Sequence, residues 1–161
     1  MRRQRGTVEQ ADPRVEEMLR ALRGTGLKLT PQRIAIVREL AADPTHPTAH
    51  DLFERLRPEL PTMSFATVYN TLAALAERGL CATRLFARRG QNGSGAVERG
   101  PVRFDPNVGP HDHAVCDACG LVLDVPYDDR SRRGPASPVD GFAVRAVERI
   151  YRGWCANCAP Q

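Results

Sequence analysis

Apolar residues recur at three- and four-residue spacing through the first half of the chain, then give way to short alternating runs. Val15, Met18, Leu19 and Leu22 share one helical face, opened by Asp12-Pro13 as N-cap and first-turn proline and closed before Gly24 and Gly26. Thr30-Pro31 repeats that start ahead of Ile34, Val37, Leu40 and Ala41. Thr48-x-x-Asp51 resembles a capping box with Asp in place of Glu or Gln, and precedes Leu52, Phe53 and Leu56. Pro58 and Pro61 interrupt the chain. Ser64 then caps a fourth helix with Phe65, Val68, Leu72 and Leu75 on one face, stopped at Gly79.

On that fourth helix Ala66, Thr67 and Asn70 lie opposite the apolar face, with Tyr69 on the flank. A face this small and polar suits a helix lying in a DNA major groove, and it equally suits ordinary solvation. Beyond Gly79, Leu80 to Arg88 reads as a strand, and Val102 to Phe104 returns beside it across a glycine-rich linker at 89–101. Helices followed by a hairpin describe a winged helix. A hinge at 106–110 leads to strand-like runs at Ala114–Cys116, Leu121–Val125 and Phe142–Tyr151, with 128–140 as a loop. The expected class is therefore α+β: a winged-helix unit over 1–104, a hinge over 105–110, and a small α/β second domain over 111–161.

Charge adds a direction to this picture. Residues 1–110 carry 17 Lys and Arg against 12 Asp and Glu, whereas residues 111–161 carry 6 against 7. A basic first part facing a polyanion is one reading; a net charge this small is also common in proteins that never meet nucleic acid. No apolar run approaches the length of a membrane span, and the basic start Met1 to Arg5 lacks a signal-peptide core. A soluble, cytoplasmic protein is expected, in a compartment where paired cysteines hold metal more often than they form disulfides.

Cys116-Asp-Ala-Cys119 and Cys155-Ala-Asn-Cys158 are two such pairs, 35 residues apart. Two intervening residues let both thiolates reach one ion, and two such knuckles complete a tetrahedron without an open position. The site is thus expected to hold structural Zn²⁺. A thiol oxidoreductase or zinc enzyme would need a low-pKa thiol or an open position, so no enzymatic activity is expected. Cys81 stands alone and reads as a small buried apolar residue.

His111-Asp-His113 places two imidazoles on one side of a strand, and Asp105 and Asp124 lie nearby in sequence. Mixed imidazole and carboxylate donors suit Fe²⁺, Mn²⁺ or Zn²⁺. Taken alone, a His-x-His pair is incidental as often as functional, and His46 and His50 read as surface residues.

Taken together, these stretches resemble the ferric uptake regulator (Fur) family over roughly residues 20–160. They are Gly26 to Arg33, His46 to Ala49, Ser64 to Leu72, His111 to Gly120, and the closing Cys155-x-x-Cys158. The resemblance implies a homodimeric, DNA-binding repressor whose second domain carries the dimer contacts and the zinc. It places DNA contacts at Arg33, Ser64, Ala66, Thr67, Tyr69 and Asn70. It also places a regulatory Fe²⁺ or Mn²⁺ on His46, Asp105, His111, His113 and Asp124. Aspartate at 105 and 124, where iron-sensing relatives usually carry Glu, is most like the peroxide-sensing, PerR-type repressors. In those, peroxide oxidises a histidine ligand, here His46 or His111, and metal and DNA are released; regulation by metal level alone is the alternative. A third family site needs a His that the stretch Val144 to Ile150 lacks. Two departures stand out: the long linker at 89–101, and a Gly/Pro-rich loop at 128–140 where the family usually has a helix.

Overall fold

The computed structural model describes residues 12–89, 97–126, 140–144 and 147–159. The basic start at 1–5, the middle of the 89–101 linker and nearly all of the 128–140 loop lie outside the described residues. Four helices come first: α1 (Pro13–Arg23), α2 (Pro31–Ala42), α3 (Ala49–Leu56) and α4 (Phe65–Glu77). Each begins where its capping residue predicts. The Asp12 carboxylate accepts the Arg14 N–H at 2.9 Å, and the Thr30 and Ser64 hydroxyls accept the N–H groups of Arg33 and Thr67. At α3 the shorter Asp suffices for a reciprocal box: Thr48 N–H donates to Asp51 Oδ2 at 2.9 Å, and Asp51 N–H to Thr48 Oγ1 at 3.0 Å.

The predicted apolar faces of α1, α3 and α4 largely meet in one core that also takes Met63, Cys81 and Phe104. Several positions differ from expectation. In α2 it is Ile36 that is fully buried, while Ile34 and Ala41 are only partly covered, because α2 packs on α1, α3 and α4 at once and buries a broader stripe. Phe65 is 46% exposed and meets Phe53 edge-on at 5.8 Å between ring centres. It sits at the first turn of α4, before the helix enters the core.

Strands β1 (Ala82–Arg89) and β2 (Val97–Asp105) form an antiparallel hairpin. The pairing runs further into the glycine-rich linker than its composition predicts, since Arg89 pairs with Val97. A bulge admits Gly100 and Pro101: two residues there oppose the single Phe86. A Cβ on Gly100 would lie 2.4 Å from the Phe86 carbonyl oxygen, so glycine is required by close approach of the two backbones.

Strands β3 (Asp112–Cys116), β4 (Val122–Val125) and β5 (Ile150–Gly153) form a second sheet in the order β4-β3-β5, with β3 antiparallel to β4 and parallel to β5. The strand expected over Phe142–Tyr151 is confined to its last residues. β3 offers only His113 to Cys116 for pairing on that side, and Ile150 to Gly153 occupy them. Phe142 and Val147 remain exposed.

Candidate metal centres

The second sheet returns Cys155 to Cys116: β3 ends in the first knuckle, and β5 ends just before the second. The sulfurs of Cys116, Cys119, Cys155 and Cys158 all lie within 4.8 Å of one another. The Cys155 N–H donates to Cys116 Sγ at 3.3 Å. Backbone N–H groups of Cys119 and Cys155 lower the Cys116 thiol to about 6, while the neighbouring sulfurs push Cys158 up to about 12. Four sulfurs this close cannot all ionise without a cation between them, so the donor set fits a soft divalent metal. Cys81 is distinct: it is buried under α4, and burial and Asp105 push its thiol up to about 12.

The histidines converge from both halves of the molecule. His46 lies in the turn between α2 and α3 and, contrary to the surface reading, is only 2% exposed. It is the single described non-glycine residue with positive φ, at 53°. Arg103 on β2 holds that turn: its guanidinium donates to the His46 carbonyl at 2.9 Å and to the Gly120 carbonyl, beside the first knuckle, also at 2.9 Å. The Phe104 N–H donates to the Pro47 carbonyl at 2.9 Å.

Around this turn, His46 Nε2 lies 2.8 Å from Asp124 Oδ1 and 3.4 Å from Asp105 Oδ1. His111 Nε2 lies 3.1 Å from Asp105 Oδ2 and 2.9 Å from His113 Nε2. Thus three imidazole Nε2 atoms and two carboxylates point at a common space. His46, Asp105, His111 and His113 are buried, and Asp124 is partly open to solvent. Neither nitrogen of His46 has an aligned hydrogen-bond partner. Buried imidazole nitrogens without hydrogen bonds, crowded by acceptors, are what a divalent cation would satisfy. Burial alone would raise the Asp105 carboxyl; the imidazoles of His113 and His46 and the Asn107 N–H outweigh it and hold the group well below the usual carboxylate range.

Sequence reading missed three residues that frame this cluster. Asn107 donates its side chain to Asp124 Oδ2 at 2.7 Å and its backbone N–H to Asp105 Oδ1 at 2.8 Å, joining the two aspartates. The Asp-Pro-Asn turn was its only local signal. Arg103 and Glu148 carried none, because their partners are distant in sequence. A cavity of about 220 Å³, lined by Arg14, Asp43, His46, Asp105, Asn107 and Asp124 among others, adjoins the cluster.

The residues expected to meet DNA lie apart from both centres. Ser64, Ala66, Tyr69 and Asn70 are exposed at the start of α4; Thr67 is half-buried, with its hydroxyl 2.9 Å from Ser64 Oγ. Arg33 is half-buried, and its guanidinium donates to the Lys28 carbonyl at 2.5 Å.

The architecture and both clusters can be set beside known proteins. The sequence model of the ferric uptake regulator family matches residues 24–147. The chain is 35% identical over 152 residues to the peroxide-responsive repressor PerR of Staphylococcus aureus, covering 94% of this chain and 95% of that protein. Among solved structures, the Fur of Helicobacter pylori matches with a TM-score of 0.69 at 18% identity, over 96% of this chain and 97% of the other. The Fur of Pseudomonas aeruginosa with manganese matches with a TM-score of 0.56 at 25% identity, over 86% and 98%. The chain belongs to the ferric uptake regulator family.

Proposed function

We propose that this protein is a metal-dependent, DNA-binding transcriptional repressor that responds to peroxide. One observation carries the reading: His46, from the helical half, joins His111, His113 and Asp124, with Asp105 against all three imidazoles, around a single largely buried space. Both aspartates, and the similarity to the S. aureus repressor, favour peroxide over metal level as the signal. Cys116, Cys119, Cys155 and Cys158 would hold structural Zn²⁺, and the His/Asp cluster a regulatory Fe²⁺ or Mn²⁺.

The domain division follows from the same reading. Residues 1–104 present α4 to the major groove through Ser64, Ala66, Thr67, Tyr69 and Asn70, with Arg33 against the phosphates. Residues 105–110 form the hinge, and 111–161 the dimer domain. Leu123, Ile150, Tyr151 and Trp154 are exposed on or beside the second sheet, beside a groove of about 320 Å³, and suit a second copy of the chain. Among the described residues no helix is long and apolar enough to cross a membrane. A cytoplasmic repressor is the consistent reading.

The chain's own residues make the switch. His46 is the ligand that belongs to the DNA-reading half, so drawing it onto Asp105, His111, His113 and Asp124 selects one relative placement of the two halves. An Fe²⁺ held by His46, Asp105, His111, His113 and Asp124 would supply one-electron chemistry toward peroxide, which Zn²⁺ and Mn²⁺ would not. Oxygen added to the ring of His46 or His111 weakens that nitrogen as a donor. The two halves then lose their common tether, and the spacing between the reading helices of a dimer is no longer held.

The test loads the zinc-containing protein with Fe²⁺ or Mn²⁺, adds peroxide, and follows peptide mass and DNA binding. The Fe²⁺ form should gain one oxygen atom on the His46 or His111 peptide and release DNA, while the Mn²⁺ form keeps it. Unmodified Fe²⁺ protein that stays on DNA refutes peroxide sensing and favours a metal-uptake regulator. DNA affinity in either case should fall with salt.

A further inference from the structure

His113 is fully buried, with its ring against Phe86 at 5.0 Å and against His111 at 4.5 Å between centres. Its Nε2 faces the cluster. Its Nδ1 faces away, and Glu148 Oε1 lies 2.8 Å from it. The contact is close, though not yet aligned as a hydrogen bond. Glu148 approaches from the segment just before β5, with its side chain 39% exposed. Its second oxygen lies 3.3 Å from Arg84 Nη1 on β1, and Arg84 Nε lies 3.4 Å from Asp105 Oδ2. One arc therefore runs His113–Glu148–Arg84–Asp105, from one expected ligand to another, outside the ligand set itself.

A carboxylate beside Nδ1 favours a proton on that nitrogen, which leaves the lone pair of the neutral ring on Nε2. His111 has the same arrangement: its Nδ1 lies 2.8 Å from the Gly109 carbonyl oxygen. Both rings then present Nε2 lone pairs toward each other at 2.9 Å, which is repulsive until a cation or proton intervenes. A backbone carbonyl serves His111, whereas at His113 the neighbouring acceptor is the Glu148 carboxylate.

We infer that Glu148 is a positioning residue for the regulatory metal, holding the buried His113 ring in the tautomer and orientation that offer Nε2 while Arg84 holds Glu148. The inference rests on the His/Asp cluster being the regulatory site. Carboxylates behind a ligating imidazole orient the ring and raise its basicity, and their loss typically weakens metal binding about 10- to 100-fold.

The experiment measures Mn²⁺ affinity by chelator competition on the zinc-containing full chain, for wild type, Glu148→Ala, Glu148→Gln and His113→Ala. Glu148→Ala should bind Mn²⁺ about 10- to 100-fold more weakly with zinc content and melting temperature of the Mn²⁺-free protein unchanged. Glu148→Gln should recover much of that loss, since its amide oxygen still accepts from Nδ1–H. Imidazole-nitrogen NMR of the Mn²⁺-free protein should show His113 protonated at Nδ1 in wild type and a mixture of tautomers in Glu148→Ala. Wild-type affinity in both Glu148 variants, with His113→Ala unable to bind, overturns this inference alone. Mn²⁺ binding that is absent in wild type, or unaffected by His113→Ala, overturns the regulatory-site reading and this inference with it.

Discussion

Asp43 shows how one side chain can prepare a ligand three residues away. It follows α2, accepts from the Thr45 N–H at 2.6 Å and the Thr45 hydroxyl at 2.5 Å, and pairs with Arg55 of α3. These contacts shape the turn that delivers His46. Burial pushes the Asp43 carboxyl up, but the Thr45 hydroxyl, Arg55 and the Thr45 N–H together bring it below its ordinary value. Because the folded carboxyl ionises more readily than in the unfolded chain, where it titrates near about 3.9, its contribution is full above that pH. It fades as pH falls below that value toward the folded pKa. Asp43→Asn should therefore cost about 1 kcal/mol at neutral pH, a figure discounted for the exposure of Arg55. The gap between variant and wild type should close in acid, which urea unfolding across pH can follow. At this scale the cysteines were readable from spacing alone. His46 was not: alone it looks like a surface residue, and it is buried by distant partners. Arg103 and Phe104 hold its turn, and His113, Asp105 and Asp124 pack against its ring.

Elements formed where short-range chemistry required them. All four helix starts were legible, because an N-cap and the N–H it satisfies lie within three residues of each other. The wing was less so. Gly100-Pro101 reads as a break, and becomes a strand bulge only because β1 passes within reach and Phe86 faces the pair. Gly100→Ala should force the two backbones apart and destabilise the hairpin by about 1–3 kcal/mol. Faster amide exchange along β1 and β2, with α1–α4 unchanged, would be its signature, and unchanged exchange in the hairpin would contradict it. The strand expected over Phe142–Tyr151 shrank for the complementary reason. Alternation identifies residues able to pair, but the length of β3 limits how many do.

For the whole molecule, the two centres divide the work. The thiolate site closes the second sheet on itself, joining the end of β3 to the end of β5. The His/Asp cluster joins that sheet to the helices. Removing the first should therefore unfold only one half. Cys119→Ser, or zinc chelation, should abolish protection of the β3, β4 and β5 amides while the helical circular-dichroism signal persists, since α1–α4 and Phe104 share a separate core. A stable, zinc-free variant with an intact sheet would refute this.

What the sequence determined by itself was everything that depends on neighbours a few residues apart: the helix starts, the capping box, the two cysteine knuckles and the His-x-His pair. Even the likeness to a family of regulators rested on such short stretches. The tertiary structure decided which distant groups share a space. His46 reaches Asp124 because Arg103 and Pro47 bind its turn to β2, and Asn107 joins two aspartates. Glu148 meets His113 only once β5 lies beside β3. Those contacts follow from chain closure over many residues, whose outcome depends on packing and pairing partners that no local pattern encodes.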